Sequence, residues 1–437
     1  MHRFDLVIEN GTILTMDPQE RVIENGFVGL KGDTISRVGS VENPAPEAAK
    51  RIDARGGLIL PGLINGHTHA AMTLFRGLAD DLPLMDWLHH YIFPVEQKMD
   101  GDFVHTGTLL ACAEMMLSGT TTFCDMYLFE EQVARAAREA GMRCLVGEVL
   151  YDFPSPNYGP PSEGLAYTHS LIHAWQEDPL VSVAVEPHAL FTCSPDLLAQ
   201  ANQMALDHGV PLIMHVAETL DEIEQLRETY GKRPIEHLHD LGLLGSHMIA
   251  DHCVHLDHWE IEKMVQFGVK AVHNPESNMK LASGIAPIPD MIEAGVTVGL
   301  GTDGCASNNN LDLFSEMDMA AKLHKVHGKD PSKMDAGTVL KMTTCEGARV
   351  MGLEREIGSI EVGKKGDIIV LDTHKPHLTP IYNPYSHLVY AARGSDVRHT
   401  LINGVPVVED GRLTMMDLPA VLARAREQAE RVRAWVL

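Results

Sequence analysis

The sequence predicts an α/β protein built as a (β/α)8 TIM barrel with an appended β-sandwich. Three observations support this fold class. Eight short, apolar, β-rich runs recur along the 437-residue chain, amphipathic helix patterns fill most of the gaps, and short strands with turn signals occupy both chain ends. In such a barrel the carboxyl ends of the strands meet at one face, where active sites lie. We therefore expect the chemistry of this chain at the ends of those eight runs.

The two ends of the chain predict one shared β unit. Residues 1–56 form short alternating runs punctuated by Asn-Gly and Gly-Asp turns, and residues 362–437 return to short strands before a closing helix. We predict that these two stretches pair into one β-sandwich, with the barrel in residues 57–361. The chain is long enough for one large domain and such an appendage.

Each predicted barrel strand ends in polar residues. The eight runs lie at residues 57–69, 120–127, 143–150, 181–188, 211–218, 248–255, 270–277 and 297–304. Helical patterns alternate with them, as a barrel requires, and start near residues 102, 130, 195, 219, 258, 312 and 335. Residues 82–99 predict a helical insert over the barrel mouth, and the Pro/Gly-rich residues 150–163 predict an irregular loop.

Charge and composition exclude several classes of protein. The net charge is -25, with 45% hydrophobic and 22% charged residues. Binding to nucleic acid or to an anionic membrane needs a basic cluster, which this sequence lacks. The seven cysteines form no CxxC pair and indicate reduced thiols. Because we find no leader segment and no apolar run of the ~18 residues a membrane span needs, we predict a cytoplasmic protein.

Four strand-end residues predict a metal site. His67 and His69 end the first run, and alternate residues of a strand point to the same side, so both imidazoles can face one ion. His215 and Asp303 end the fifth and eighth runs. Three histidines and a carboxylate suit one catalytic Zn²⁺ per subunit with a position open for water, although iron and manganese fit similar ligands. The fourth run has no lysine that could bridge a second metal ion.

Two further strand-end residues can move protons. His252, in the sixth run, is placed to orient a metal-bound water or to accept its proton. Glu218, three residues after His215, is placed to carry a proton between that water and a ring nitrogen. Asp303 would hold the metal and share a proton with the leaving group. We expect His255 to be structural.

Four motifs resemble those of a known family. They are PGLINGHTH at 61–69, HVAET at 215–219, HNPESNMKLASGIAP at 273–287 and LGTDGCASNNNLDLF at 300–314. Together they resemble the amidohydrolase superfamily, specifically its 5'-methylthioadenosine/S-adenosylhomocysteine deaminase branch, over nearly the whole chain. The resemblance implies zinc ligands at His67, His69, His215 and Asp303. It implies substrate-binding or proton-transfer roles for Glu96, His188, Glu218 and His252.

The same resemblance implies a reaction and a substrate class. The reaction is hydrolytic deamination of an adenine ring, in which a zinc-bound hydroxide attacks C6, Glu218 protonates N1 and ammonia leaves. Glu96 resembles the carboxylate that accepts hydrogen bonds from the ribose hydroxyls. The implied partner is a small nucleoside, and the family also implies a homo-oligomer, either a dimer or a tetramer.

The substrate's 5' tail can be argued from charge. A homocysteine tail carries a carboxylate, which calls for Arg or Lys. The sequence has no Lys or Arg between Arg143 and Arg227, a stretch that includes much of the predicted barrel mouth. We therefore predict 5'-methylthioadenosine as the preferred substrate, with adenosine, 5'-deoxyadenosine and S-adenosylhomocysteine left open. Arg76 or a neighbouring subunit could supply the missing cation.

Two other functions remain open at this point. A guanine deaminase or a triazine-type chlorohydrolase would share the metal site, so the ligands do not distinguish these activities. A non-catalytic scaffold of the same fold is the alternative of another class. That alternative is disfavoured because such proteins usually lose metal ligands, and here every predicted ligand and proton carrier is present.

Overall fold

The computed structural model describes residues 4–40, 47–82 and 88–436, and these residues form a parallel barrel and a separate mixed sheet. The strands, in chain order, are β1 Phe4–Leu14, β2 Val22–Lys31, β3 Thr34–Ser40, β4 Ala48–Asp53, β5 Leu58–Pro61, β6 Leu63–Thr68, β7 Thr120–Tyr127, β8 Arg143–Leu150, β9 Val181–Val183, β10 Glu186–Pro187, β11 Leu212–Val216, β12 Met248–His252, β13 Lys270–His273, β14 Val298–Leu300, β15 Ile368–Leu371, β16 Val397–Ile402, β17 Val405–Glu409 and β18 Arg412–Leu413.

Helices follow most barrel strands, as the apolar periodicity predicts. They are α1 Phe93–Glu96, α2 Gly101–Leu117, α3 Glu130–Ala140, α4 Gly164–Trp175, α5 Pro195–His208, α6 Leu220–Tyr230, α7 Pro234–Asp240, α8 His258–Phe267, α9 Pro275–Lys280, α10 Ile288–Ala294, α11 Leu313–Gly328, α12 Ala336–Met342, α13 Cys345–Val350, α14 Pro384–Tyr390 and α15 Leu418–Val436. Single turns of 3-10 helix lie at Ala70–Phe75, Pro161–Glu163, Pro376–Leu378 and Gly394–Asp396, and a π turn lies at Leu88–Ile92.

The barrel has eight strand positions, and each lies inside one of the eight predicted runs. Strands β6 to β10 form one parallel arc and β11 to β14 form the other. Parallel bridges such as Val185 to Leu212 join the arcs on one side. On the other side the amide of Asp303 donates to the carbonyl of His67 (2.9 Å). The predicted barrel is therefore confirmed, with its fourth strand broken into the short strands β9 and β10.

The two chain ends pair into one nine-stranded sheet, as their patterns predict. Its order is β18-β17-β16-β15-β5-β1-β2-β3, and β4 pairs with β1. Strand β15 lies antiparallel to β5, and β5 lies parallel to β1. The side chains of this sheet form a separate apolar core, which includes Ile8, Val28, Ile59 and Val370.

The run at 57–69 is two strands rather than one. Strand β5 belongs to the nine-stranded sheet and β6 to the barrel, and Gly62 lies between them. A Cβ atom at Gly62 would lie 2.1 Å from the hydroxyl oxygen of Thr121, so the chain can cross between the sheets only where no side chain is present. The division into 1–56, 57–361 and 362–437 stays a prediction.

Part of the predicted insert at 82–99 is present as helix. The π turn Leu88–Ile92 and α1 lie beside the barrel mouth, and Ile92, Phe93 and Glu96 line the cavity there. Residues 83–87 of the predicted insert lie outside the described residues. The terminal helix α15 packs on α2, where Arg431 pairs with Asp100.

The cysteines and the hydropathy of the helices are two features of the chain as a whole. All seven cysteines are unpaired, and six of them are buried. Within the described ranges no helix combines the length and apolarity needed to cross a bilayer.

Candidate active site

A cavity of about 500 Å³ opens at the carboxyl ends of the barrel strands. Apolar side chains from the mouth and polar side chains from the strand ends share its wall. It brings together seven of the eight predicted site residues, namely His69, Glu96, His188, His215, Glu218, His252 and Asp303. The eighth, His67, is fully buried directly behind them.

Four imidazoles surround one point at the bottom of this cavity. The ring of His67 lies 4.9 Å from that of His69, 5.0 Å from that of His215 and 5.5 Å from that of His252, between centroids. The ligand atoms of His67, His69 and Asp303 all lie within 4.8 Å of one another, as do those of His67, His215 and His252. The four predicted ligands are therefore in one cluster, and His252 is part of it.

Asp303 is aimed at this cluster by its backbone and neighbours. Its φ of 62° places it in the left-handed region, at the turn that follows β14. The Ser277 hydroxyl donates to Oδ2 (2.6 Å) and the Gly304 amide donates to Oδ1 (2.7 Å). Oδ1 then lies 3.2 Å from Nε2 of His69 and 3.7 Å from Nε2 of His67.

Hydrogen bonds to the outer ring nitrogens assign the tautomers of the histidines. Nδ1 of His69 donates to the Met126 carbonyl, and Nδ1 of His215 donates to the His188 carbonyl (2.9 Å). Nδ1 of His252 donates to Oδ1 of Asn278 (2.9 Å). In the neutral form of each ring Nε2 is therefore the unprotonated nitrogen, and this is the form that binds a metal ion.

The donor set fits a transition-metal ion. Nε2 of His67 is completely buried and has no hydrogen-bond partner among the described residues. An unpaired buried polar atom is costly, and an ion at the cluster would satisfy it. Imidazole nitrogens with one carboxylate oxygen suit Zn²⁺, and also Fe²⁺ or Mn²⁺, better than Ca²⁺ or Mg²⁺.

The electrostatics of the cluster favour a positive charge next to Asp303. Burial alone would lower the pKa of His69, but the hydrogen bond and charge of Asp303 raise it to about 9. Burial alone would raise the pKa of Asp303, but His69 holds it well below its ordinary value. His69 and Asp303 therefore favour a positive charge between them at neutral pH, and either a proton or a metal ion can supply it.

Glu218 and His252 stand side by side at the cavity wall. The carboxylate of Glu218 lies 4.0 Å from Nε2 of His252, which in turn lies 3.9 Å from Oδ2 of Asp303. The backbone that carries Glu218 is held by Glu222, whose buried carboxylate accepts the amides of Ala217 (3.1 Å) and Glu218 (2.8 Å). Burial raises the pKa of Glu222 to about 7.

Glu96 and His188, two of the predicted substrate residues, also line the cavity. Glu96, at the end of α1, accepts a hydrogen bond from the hydroxyl of Tyr127 (2.7 Å), and burial raises its pKa. Burial lowers the pKa of His188 to about 4, so this ring is neutral at pH 7. The hydroxyl of Thr192 donates to a backbone carbonyl and accepts from Nδ1 of His188 (2.9 Å), which leaves Nε2 as an acceptor.

The cavity mouth is lined by aromatic side chains. The rings of Tyr151 and Phe153 stack with centroids 3.9 Å apart, and Phe191 lies on the same wall. No Lys or Arg lines the cavity within the described part of the chain. Arg76, the predicted candidate, is paired with Glu114 and donates to the carbonyl of Asn309 (2.5 Å).

Sequence reasoning missed three residues that support this site. Asp251 is fully buried with Oδ2 3.0 Å from Nδ1 of His67. Tyr127 holds Glu96, and Glu222 holds the backbone of Glu218. Asp251 could have been found, because an acidic residue directly before His252 in an otherwise apolar strand has few structural reasons to be there.

The barrel gathers histidines and an aspartate at the carboxyl ends of its strands, beside a carboxylate that can move protons. This arrangement is typical of metal-dependent hydrolases, and this chain is of that class. It belongs to the amidohydrolase family, whose profile matches residues 58–407. This finding confirms the resemblance and the fold class that the sequence predicts.

Three relatives are similar to this chain over nearly its whole length. The chain is 58% identical to a 5-methylthioadenosine/S-adenosylhomocysteine deaminase of Syntrophobacter fumaroxidans, over 99% of both chains. It is 44% identical to a 5'-deoxyadenosine deaminase of Methanosarcina acetivorans, over 98% of this chain and 99% of the relative. A crystal structure of an adenosine deaminase from Xanthomonas campestris with bound zinc superposes with a TM-score of 0.97 at 38% identity, over 99% of both chains.

Proposed function

We propose that this protein hydrolytically deaminates the adenine ring of 5'-modified adenosines, with 5'-methylthioadenosine as its preferred substrate. The observation that carries the proposal is one cavity in which the His/Asp cluster, Glu218 and the half-buried Glu96 face the same space. The relatives named for 5-methylthioadenosine, S-adenosylhomocysteine, 5'-deoxyadenosine and adenosine support the same substrate class.

His67, His69, His215 and Asp303 are the proposed metal ligands, with one Zn²⁺ per subunit. Zinc bound in such a site acts as a Lewis acid and brings the pKa of a coordinated water to about 7. The unpaired Nε2 of His67 and the tautomers of His69 and His215 support this assignment. The zinc in the structure of the Xanthomonas campestris relative supports zinc over iron or manganese.

Glu218 and Asp303 are the proposed proton carriers, and His252 is proposed to orient the water. Glu218 takes a proton from the attacking water and delivers it to N1 of the adenine, so that C6 can accept the oxygen. His252, fixed through Nδ1 by Asn278, orients that water with Nε2, and Asp303 takes the second proton from the added oxygen and passes it to the departing amine. One water is consumed, the C6–N bond breaks, and the products are a hypoxanthine nucleoside and ammonia.

Glu96 and His188 are the proposed substrate-binding residues. A half-buried carboxylate accepts two adjacent ribose hydroxyls well, because both are donors, and Tyr127 keeps the carboxylate of Glu96 in place. The neutral ring of His188 offers Nε2 as an acceptor on the same wall. Glu218 and Asp303 would contact the base at the reacting end.

The mouth of the cavity supports a neutral 5' tail. A methylthio or plain methyl group packs well against the wall formed by Tyr151, Phe153 and Phe191. A homocysteine carboxylate would enter a cavity whose lining includes the acidic Asp221 and no described Lys or Arg. Arg76 is engaged by Glu114, so it does not compensate.

A side-by-side steady-state assay tests the proposal. The zinc-loaded protein is given 5'-methylthioadenosine, 5'-deoxyadenosine, adenosine and S-adenosylhomocysteine, and conversion of adenine to hypoxanthine is followed in the ultraviolet. We expect kcat/KM for 5'-methylthioadenosine to exceed that for S-adenosylhomocysteine at least ~10-fold, about 1.4 kcal/mol. Equal or reversed values would contradict the tail argument. Activity on guanine or a chlorotriazine, with none on adenosines, would support the rival hydrolases instead.

We also propose, from the family, that the protein assembles as a dimer or a tetramer and acts in the cytoplasm. Light scattering during gel filtration tests the first point against the chain mass of 48.0 kDa. A monomer at micromolar concentration would contradict it.

A further inference from the structure

A second group of histidines lies on the outer surface of the barrel. His169 and His173 are four residues apart on α4 (Gly164–Trp175), so both side chains lie on the same face of that helix. His208 is the last residue of the neighbouring helix α5 (Pro195–His208). His169 and His173 are exposed and His208 is half-buried. The ligand atoms of all three residues lie within 4.8 Å of one another.

The geometry of this group matches a metal site. The ring centroids are 4.4 Å apart for His169 and His173, 5.2 Å for His169 and His208, and 5.5 Å for His173 and His208. Nε2 of His169 lies 3.2 Å from Nε2 of His173. Two imidazole nitrogens bound tetrahedrally to one Zn²⁺ at ordinary bond lengths are about 3.3 Å apart. His169 and His173 are therefore already spaced to bind one ion, and the ligand atom of His208 lies within 4.8 Å of theirs.

We propose that His169, His173 and His208 form a second transition-metal site. Three neutral imidazoles and no carboxylate suit borderline ions such as Zn²⁺, Ni²⁺ and Cu²⁺, and they do not suit Mg²⁺ or Ca²⁺, which prefer oxygen ligands. Because the site is exposed, water completes the coordination and the ion exchanges with solvent. A bound ion would join α4 to α5.

This site is separate from the candidate active site. None of the three histidines lines the cavity. His208 directly precedes the turn into β11, and His173 lies in the last turn of α4, so both stand near the amino-terminal ends of the strands. The cavity is at the opposite, carboxyl-terminal face of the barrel. The inference is therefore independent of the proposed deaminase activity.

Paired variants test the second site. His169→Gln with His173→Gln removes two ligands at exposed positions, where little effect on folding is expected. The matched control, His258→Gln with His374→Gln, removes two histidines outside this group that also have exposed side chains (89% and 69%). Each protein is first loaded with Zn²⁺, freed of excess metal, and then titrated with Ni²⁺ in a calorimeter.

We expect the wild type and the control to bind one Ni²⁺ per chain, and the His169/His173 variant to bind it at least ~10-fold more weakly. His208→Gln should also weaken binding, because His208 is the third proposed ligand. A site formed by His169 and His173 alone would be unaffected by that substitution. The variant and the control have the same His/Asp cluster in the cavity, so Ni²⁺ bound at that cluster contributes equally to both titrations. Equal binding by the His169/His173 variant and the control, no Ni²⁺ uptake by the wild type, or an unchanged affinity in His208→Gln would overturn the proposal.

Discussion

At the scale of single residues, the candidate site depends on side chains held in one orientation by a partner outside the cavity. Asn278 holds His252, the Met126 carbonyl holds His69, and Asp251 lies against His67. Such partners fix which nitrogen faces the ion and raise the basicity of the ligand. Substitution of Asn278 or Asp251, which act through their side chains, should therefore alter metal binding and chemistry without altering the fold.

Asp251→Asn should weaken metal binding about 10- to 100-fold, because the carboxylate beside Nδ1 of His67 is lost while the shape is kept. Competition with a chromogenic chelator measures the affinity. Asp240→Asn, which changes an exposed carboxylate, is the control. Equal affinities in the two variants would show that Asp251 does not act through His67.

Glu218→Gln should lower kcat for deamination by about 10²- to 10⁴-fold, since an amide cannot carry the proton to the ring nitrogen. Metal content should stay at the wild-type value. Glu224→Gln, on the exposed side of α6, is the matched control and should keep full activity. Activity within a few fold of the control would remove Glu218 from the mechanism.

Glu96→Gln should lower kcat/KM for nucleosides by about 10- to 100-fold, because a charged acceptor for the ribose hydroxyls becomes a neutral amide. Tyr127→Phe, which leaves the carboxylate in place without its donor, should have a smaller effect in the same direction. Unchanged kinetics in Glu96→Gln would contradict the proposed ribose contact.

At the scale of elements, helix α11 packs against strand β13 through two buried histidines. Nε2 of His324 lies 3.0 Å from Nε2 of His273, and both rings are about 1% exposed. Burial lowers the pKa of His324 to about 4 and that of His273 well below its ordinary value. Both rings are therefore neutral in the folded protein at pH values where they are charged in the unfolded chain.

This pair predicts a loss of stability in mild acid. Between pH 6.5 and pH 4 the unfolded chain binds protons that the folded protein does not, so the free energy of unfolding falls as pH falls. For His324 the loss at pH 5 is about 2 kcal/mol. His324→Gln should narrow the difference in urea midpoint between pH 7.5 and pH 5, and His258→Gln, at an exposed position, should leave it unchanged. An equal difference in both variants would refute the assignment.

At the scale of the whole molecule, the barrel and the nine-stranded sheet are joined by a buried ion pair. Arg143 begins barrel strand β8, and its Nε lies 3.0 Å from Asp367, which directly precedes β15 of the sheet. Both residues are 4% exposed, and Asp367 also accepts the amide of Asn403 (2.7 Å). The two chain ends are thereby attached to the barrel wall.

Asp367→Ala should destabilise the protein by about 3–5 kcal/mol, because it leaves the guanidinium of Arg143 buried and unpaired. Glu293→Ala, which breaks the exposed pair with Lys333, should cost under about 1 kcal/mol. Thermal unfolding of both variants measures the difference. A similar small loss in each would mean that water reaches Arg143 and the pair does not join the two units.

The sequence by itself determined the barrel, the shared sheet and the candidate metal ligands. Strand and helix periods are local properties, and a histidine or aspartate at the end of a predicted barrel strand lies near the carboxyl-terminal face. It could therefore be predicted, without knowing which strands are neighbours, that His67, His69, His215 and Asp303 lie at one end of the barrel.

Only the tertiary structure decided the contacts between distant segments. Four features depend on how two separate elements pack. They are the break between strands at Gly62, the burial of Asp251 against His67, the ion pair of Arg76 with Glu114, and the proximity of His208 to His169. Such contacts follow from the three-dimensional arrangement of side chains, which has no period along the chain. A pattern of residues can place a side chain on a face, but packing alone selects its neighbour.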